Sequence, residues 1–178
     1  IFFSDIKDFT STSEGLQPED LTKYLNEYFS EMTNIALKYG ATIDKYIGDA
    51  MMAIFNAPLD QPDHEIQAVK CGLQIIENME ALNQEMQQEG LPAIAIGIGI
   101  NSGKAVIGNM GSESRFDYTA IGDAVNTGAR LESATKEQKV DLLIGETTAK
   151  KYIPRLKLKL VNEIHVKGKK KGLKVYTI

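Results

Sequence analysis

The sequence predicts an α+β fold, an antiparallel-rich sheet with helices on one face, and three observations lead there. Apolar residues recur at spacings of three and four in two long stretches, from Pro18 to Tyr39 and from about Asp63 to Glu89. Short β-leaning runs are punctuated by glycine-containing turns, most clearly around Gly48-Asp49. Strands and helices interleave without the strict alternation of a parallel βαβ protein.

Taken in order, IFFSDI reads as a short buried strand and KDFTSTSEG as a polar loop. Pro18 then opens a helix with Leu21, Tyr24, Leu25, Tyr28, Met32 and Ile35 on its apolar face, and Gly40 closes it. ATIDKYI and AMMAIFN flank Gly48-Asp49 as the two arms of a hairpin, glycine supplying the positive φ of the turn. Strand alternation places Lys45 on the same face as Ile43 and Ile47. The second long helix carries Ile66, Val69, Leu73, Ile76, Met79 and Leu82 on one stripe, with Gly90 beyond its end. AIAIGIGIN and KAVIGNMG follow as strands, and glycines at 97, 99 and 103 suggest close approach of another backbone or of a ligand. After a loop, SESRFDYT, a helix from about Ile121 to Thr135 sets Asn126 and Arg130 four residues apart, on one face. The tail reads as a short helix from Glu146 to Tyr152 and two strands joined by the turn KGKKKG.

A chain of 178 residues suits one well-buried domain. With 43% hydrophobic and 25% charged residues it has an ordinary soluble composition, and no apolar run approaches the roughly 20 residues of a membrane-spanning helix. The opening IFFSDI has no initiator Met, basic segment or cleavage site, which suggests a domain excised from a longer, regulated protein. A single cysteine, Cys71, and two histidines argue against disulfides and structural zinc and for a reducing, cytoplasmic setting. The net charge of −4 argues against a general nucleic-acid binder, although basic residues dominate from Arg155 to Lys174.

Several polar residues stand in apolar surroundings. Asp5 and Asp49 sit at the end of an apolar strand and in the turn beside one, where a lone carboxylate loses hydration unless paired or metal-bound. Together they would select a hard divalent cation, Mg²⁺ or Mn²⁺; the alternative is a pair of turn-capping aspartates. Lys45 could read a ligand or snorkel from a half-buried sheet. Arg130 suits phosphate recognition through its planar fork of donors, and with Asn126 it could equally be an ordinary surface pair. In KGKKKG, Lys169, Lys170 and Lys171 read as a solvated tip and Lys167 as the better phosphate ligand. His64, His165 and Cys71 read as structural. GIGINSGKA imitates a phosphate loop, but Ile98 stands where its first glycine belongs and Ala105 replaces the Ser or Thr.

The order of the pieces says more than any piece. FFSDIKDFTSTSE, IDKYIGDAMMAIF, GIGINSGKAVIGNMG, DYTAIGDAVNTGARLE and VKGKKKGLKVY together resemble the catalytic domain of the class III adenylyl and guanylyl cyclases over nearly the whole chain. The resemblance implies a ferredoxin-like βαββαβ core with extra C-terminal strands, and conversion of a nucleoside triphosphate to a cyclic nucleotide and pyrophosphate. It maps the family's two metal-binding aspartates onto Asp5 and Asp49, with the Ile6 carbonyl as a further ligand of two divalent cations. Arg130 matches the arginine that stabilises charge on the reacting phosphorus, Asn126 the asparagine that orients the ribose, and Lys167 the lysine on the terminal phosphates. Base choice falls to Lys45 and Thr119, a pair that resembles the adenylyl subclass carrying Thr where many relatives carry Asp. ATP is then the expected substrate, and a bicarbonate response, found in some members of that subclass, joins the expectations. Because the chain keeps both the metal-binding and the base-reading residues, the resemblance implies a head-to-tail homodimer with two shared sites.

Asp8 departs from the family's usual D-I-x-G-F-T, occupying the glycine position of the loop expected to wrap the triphosphate, and Arg115 is the candidate basic residue before the specificity position. Lys45 and Thr119 disfavour a guanylyl cyclase, in which Glu and Cys are typical. The absence of a GGDEF or GGEEF segment disfavours a diguanylate cyclase. Intact Asp5, Asp49, Asn126 and Arg130 disfavour a catalytically silent nucleotide-binding or dimerisation module.

Overall fold

The computed structural model describes residues 1–151, 156–164 and 172–178. Strand β1 (Phe2–Ile6) leads through a short helix α1 (Phe9–Glu14) to the long helix α2 (Pro18–Lys38). The hairpin β2 (Thr42–Ile47) and β3 (Ala50–Ile54) follows, then helix α3 (His64–Gln88) and strand β4 (Ile96–Ile100). A second hairpin, β5 (Val106–Ser112) and β6 (Arg115–Ile121), precedes helix α4 (Asp123–Gln138). Strand β7 (Leu142–Gly145), helix α5 (Glu146–Lys150) and strands β8 (Lys159–Ile164) and β9 (Leu173–Thr177) complete the described elements.

The main sheet runs β2-β3-β1-β4-β7-β9-β8, antiparallel except where β4 and β7 pair in parallel. Its first four strands, with α2 and α3 as crossovers, are the expected ferredoxin-like βαββαβ core, and the remaining strands extend one edge. Helices α2 and α3 share one face: Tyr28 and Met32 from α2 and Ile75 from α3 meet Phe2, Ile98 and Ile100 of the sheet, all essentially excluded from water. Full burial of each such side chain stabilises by about 1.5–3 kcal/mol, which makes this the larger core.

Helix α4 lies across the side of β4 that carries Gly97 and Gly99. A side chain at Gly99 would collide with the backbone of α4 at the Gly128 carbonyl and the Glu132 amide. The close approach is therefore that of α4, by its backbone at Gly99 and by the side chains of Glu132 and Thr135 at Gly97. A smaller cluster of Phe3, Met52, Ile54 and Ala120 fills the same side and seats the β5-β6 hairpin against the sheet.

Three local expectations are corrected. KDFTSTSEG contains helix α1 rather than only loop; this single stretch buries no residue fully and shows no apolar period, so contact of Phe9 with the core, not patterning, accompanies it. SESRFDYT contributes most of β6, paired in register with β5 from Val106↔Ile121 to Ser112↔Arg115. Its first four residues are exposed on both faces, so period-two patterning, which reports one buried face, has nothing to report there. Strand β7 was not anticipated at all, because a four-residue buried apolar run carries no periodicity.

Candidate active site

Ser4 pairs with Met51 across β1 and β3, and antiparallel continuation of that register carries Asp5 toward the β2-β3 turn, where Asp49 follows Gly48 at φ 65°. The two carboxyls line one pocket, and a proton on Asp5 lets it hydrogen-bond to Asp49. Burial above all, then that hydrogen bond and the charge of Asp49, then the charge of Glu132, push the Asp5 carboxyl up to about 8. The Ile6 amide donates to Asp5 Oδ1 at 2.9 Å and opposes the shift. Glu132 itself is raised, chiefly by burial and further by Asp49.

These acids line a pocket of about 470 Å³ together with Ile6, the loop and first turn from Lys7 to Ser11, and the α4 residues Ser133, Thr135 and Lys136. Two carboxylates whose proximity is unfavourable unless a proton or a cation lies between them suit a hard divalent ion. Among the described residues no cluster of three or more His, Cys, Asp or Glu side chains is arranged to hold a metal. A pair of carboxylates with a neighbouring backbone carbonyl therefore fits Mg²⁺ or Mn²⁺ that keeps positions for water or phosphate oxygens, rather than an ion enclosed by protein. The residues present fit the group.

Asp8 stands at the edge of this pocket in the left-handed region, φ 58°, ψ 27°. That backbone explains why glycine suits the position and why aspartate, one of the side chains that tolerates it, can replace it. Its carboxylate pairs with Lys136 from α4. Lys7, also lining the pocket, is held away by Asp141 at 2.6 Å.

A second polar cluster forms where β2 meets β6. Ile43 pairs with Ala53 but Lys45 pairs with Met52, so Asp44 is an extra residue, a β-bulge. The bulge corrects the alternation argument: Lys45 lies opposite Met52, on the face that carries the β5-β6 hairpin, and not on the face of Ile43. The Thr119 hydroxyl donates to Asp44 Oδ2 at 2.6 Å, and the Ala120 amide donates to the same oxygen at 3.3 Å. Lys45 Nζ lies 3.4 Å from Asp44 Oδ1 and 3.7 Å from Asp117 Oδ2.

The structure thus brings Asp5, Ile6 and Asp49 together in one place and Lys45 and Thr119 together in another, and neither Lys45 nor Thr119 lines the carboxylate pocket. Asn126 and Arg130 share a face of α4, Asn126 exposed and Arg130 half-buried, and they too lie outside that pocket lining. Arg115 is exposed at the far end of β6, four residues and about 13 Å of strand from Thr119. Lys167 lies outside the described residues.

Asp44 and Glu132 escape the sequence reading, and Tyr24 figures in it only as part of the apolar face of α2. Asp44 carried the same signal as Asp49, an acid within an apolar strand run, but only Asp49 was placed in a turn. Glu132 follows Arg130 by two and shows its relevance only through the register of α4 on Gly97. The Tyr24 hydroxyl is buried without a hydrogen-bond partner among the described residues, and burial, then the charge of Asp49, push it up to about 12.

The family model described as the adenylate and guanylate cyclase catalytic domain matches residues 1–178. Adenylate cyclase 1 of Rhizobium meliloti is 34% identical over 176 residues, a stretch covering 99% of this chain and 26% of that protein. The chain therefore spans about a quarter of the length of that relative. The crystal structure of the adenylyl cyclase CyaB from P. aeruginosa superposes with a TM-score of 0.91 at 39% identity, over 98% of this chain and 90% of that one. The guanylyl cyclase Cya2 gives a TM-score of 0.87 at 34% identity, over 98% of this chain and 88% of that one.

Proposed function

Because the chain belongs to the adenylate and guanylate cyclase catalytic domain family, we propose that it converts ATP to 3′,5′-cyclic AMP and pyrophosphate at two equivalent sites, each shared between two copies of the chain. The observation that carries this reading is the presence in one chain of two separate half-sites: the Asp5-Asp49 pocket, and the Lys45-Thr119 cluster outside its lining. Around the second half, Tyr46, Ile47, Val106, Phe116 and Ile121 are exposed, apolar surface of the kind that a second copy would cover.

In the reaction the ribose 3′-oxygen bonds to the α-phosphorus, the bond from that phosphorus to the β-phosphate oxygen breaks, and the 3′-hydroxyl proton leaves. Two divalent cations, Mg²⁺ or Mn²⁺, held by Asp5, Asp49 and the Ile6 carbonyl, would lower the 3′-hydroxyl pKa and neutralise the triphosphate and its leaving group. Arg130 places a permanent cation against the charge that develops on the phosphorus, and Asn126 orients the ribose from the same face of α4. Lys167 reaches the terminal phosphates, and Arg115 assists from the β5-β6 turn.

The base is read by donor and acceptor pattern. Adenine offers an acceptor at N1 and a donor at its 6-amino group; the Lys45 ammonium donates to the first and the Thr119 oxygen accepts from the second. Guanine reverses that edge. The setting is cytoplasmic, supported by one buried, unpaired cysteine, and no described helix is long and apolar enough to cross a membrane. Regulatory domains in a longer parent chain are part of the proposal, supported by the partial span of its relative, and a bicarbonate response rests on the resemblance of the Lys45-Thr119 pair alone.

The test is product analysis by chromatography after incubation with ATP or GTP and Mn²⁺, with Asp49→Asn as control. Cyclic AMP from ATP, absent in the control, is expected. Cyclic GMP instead would keep the chemistry and overturn the base assignment. A dimer that binds ATP and yields no product would make the chain a silent module.

A further inference from the structure

We propose that Asp44 is a positioning residue that fixes the polarity of the base-reading pair and thereby selects adenine over guanine. The inference rests on the reading of Lys45 and Thr119 as base contacts. A threonine hydroxyl is ambivalent, with one rotatable donor and two acceptor lone pairs. Left free, Thr119 could accept from the adenine 6-amino group or donate to guanine O6 with equal ease, and would discriminate little.

The geometry removes that freedom. Asp44 is the bulge residue of β2, its side chain entirely shielded from solvent and turned toward β6. Its Oδ2 already accepts the Ala120 amide at 3.3 Å, so at the 2.6 Å contact with Thr119 the hydroxyl is the donor. With its proton committed to Asp44, Thr119 presents only lone pairs to a ligand. Donation to guanine O6 would require breaking a short bond to a buried carboxylate and leaving that carboxylate short of a partner, a cost that a site recognising adenine never meets.

The other carboxylate oxygen serves the other half of the pair. Asp44 Oδ1 is buried without a hydrogen-bond partner, and the Lys45 ammonium stands 3.4 Å away with Asp117 Oδ2 at 3.7 Å on its flank. Lys45 is thus steered by two acids on one side while its remaining donors stay available for N1 of adenine. One buried carboxylate orders both residues, and the bulge exists where it must for Asp44 and Lys45 both to reach β6.

The experiment measures equilibrium binding of 3′-deoxy-ATP and 3′-deoxy-GTP, which lack the attacking hydroxyl, each with Mn²⁺. It compares the unaltered protein, Asp44→Asn, Thr119→Val and the double variant. Asp44→Asn is isosteric, and its amide can donate to Thr119 and free the hydroxyl proton. The ratio of affinities for the adenine and guanine analogues is expected to fall about tenfold or more, partly through a gain in guanine affinity. In the Thr119→Val background, where no hydroxyl remains to orient, Asp44→Asn is expected to change the ratio little.

An unaltered ratio in Asp44→Asn, with both affinities reduced alike, would reduce Asp44 to a structural role and overturn the proposal. So would an equal shift of the ratio in the Thr119→Val background. An unaltered protein with no preference for the adenine analogue would instead overturn the base reading itself, and Asp44 with it. A measurement without any variant checks the lock directly: the Thr119 hydroxyl proton should appear in NMR spectra as a slowly exchanging resonance, and exchange as fast as that of exposed threonines would contradict it.

Discussion

Asp8, in left-handed backbone at φ 58°, closes an ion pair with Lys136 at the edge of the carboxylate pocket. Both side chains are largely exposed, so the pair adds little to stability. Its consequence is electrostatic, since it sets a negative charge at the proposed triphosphate site and occupies a cation that could meet that ligand. Asp8→Gly is expected to fold normally, because glycine adopts the same backbone without steric cost, and to lower KM for ATP. Asp8→Val, forced into a region hostile to a branched side chain, should destabilise by about 1–2 kcal/mol. Thermal melts and steady-state kinetics of the two variants separate the backbone effect from the charge effect; an Asp8→Gly variant with raised KM would show that the carboxylate helps binding.

The carboxylate pair makes stability depend on pH. The Asp5 carboxyl stands at about 8 in the folded chain against an ordinary 3.8, so between those values the folded state holds a proton that the unfolded state has lost. Stability of the metal-free protein should therefore fall as pH rises from about 4 to about 8. A divalent cation held by the pair, as proposed, would take the place of that proton. Addition of Mn²⁺ should raise the melting temperature most near the upper end of this window; Asp49→Asn should lose most of the Mn²⁺ effect and only the part of the pH effect that Asp49 supplies, because burial is the larger cause. Melting curves across pH, with and without Mn²⁺, check this; a Mn²⁺ shift undiminished in Asp49→Asn would place the ion elsewhere.

Gly99 is where α4 rests on the sheet. Gly99→Ala would press a methyl into the Gly128 carbonyl and the Glu132 amide, backbone atoms that cannot turn aside. A loss of about 1–3 kcal/mol is expected, with activity falling as well, because α4 carries Asn126, Arg130 and Glu132. Gly108→Ala is the control, since nothing lies within 4 Å of a side chain there. Equal melting temperatures for the two would mean that the helix shifts freely.

Much of this was legible in the chain because burial on one face writes a period into sequence. The long helices and β4 emerge from apolar spacing, the first hairpin from β-leaning runs around Gly48-Asp49, and the glycines of β4 point to a close approach. What stayed hidden has no period to read: β6 is exposed on both faces for most of its length, β7 is too short, and α1 depends on contacts made elsewhere. The site divides in the same way. Asp5 and Asp49 stood out as acids in apolar runs, whereas Lys45 was placed on the wrong face because a one-residue bulge at Asp44 reverses everything counted across it. Asp44 itself was visible as an acid but had no partner until Thr119 came beside it through folding.

The measurement that tests the account most directly mixes two inactive chains. Asp49→Asn lacks a carboxylate proposed to hold metal and Arg130→Ala lacks the charge proposed to stabilise the reacting phosphorus, so each alone should make almost no cyclic AMP. If one copy supplies the carboxylates and its partner supplies Arg130 and the base readers, half of the randomly mixed dimers carry one intact site. Activity of about a quarter of the unaltered protein is then expected from an equal mixture. A mixture no more active than its components, with exchange of subunits demonstrated, would contradict the shared site and return all of the chemistry to a single chain.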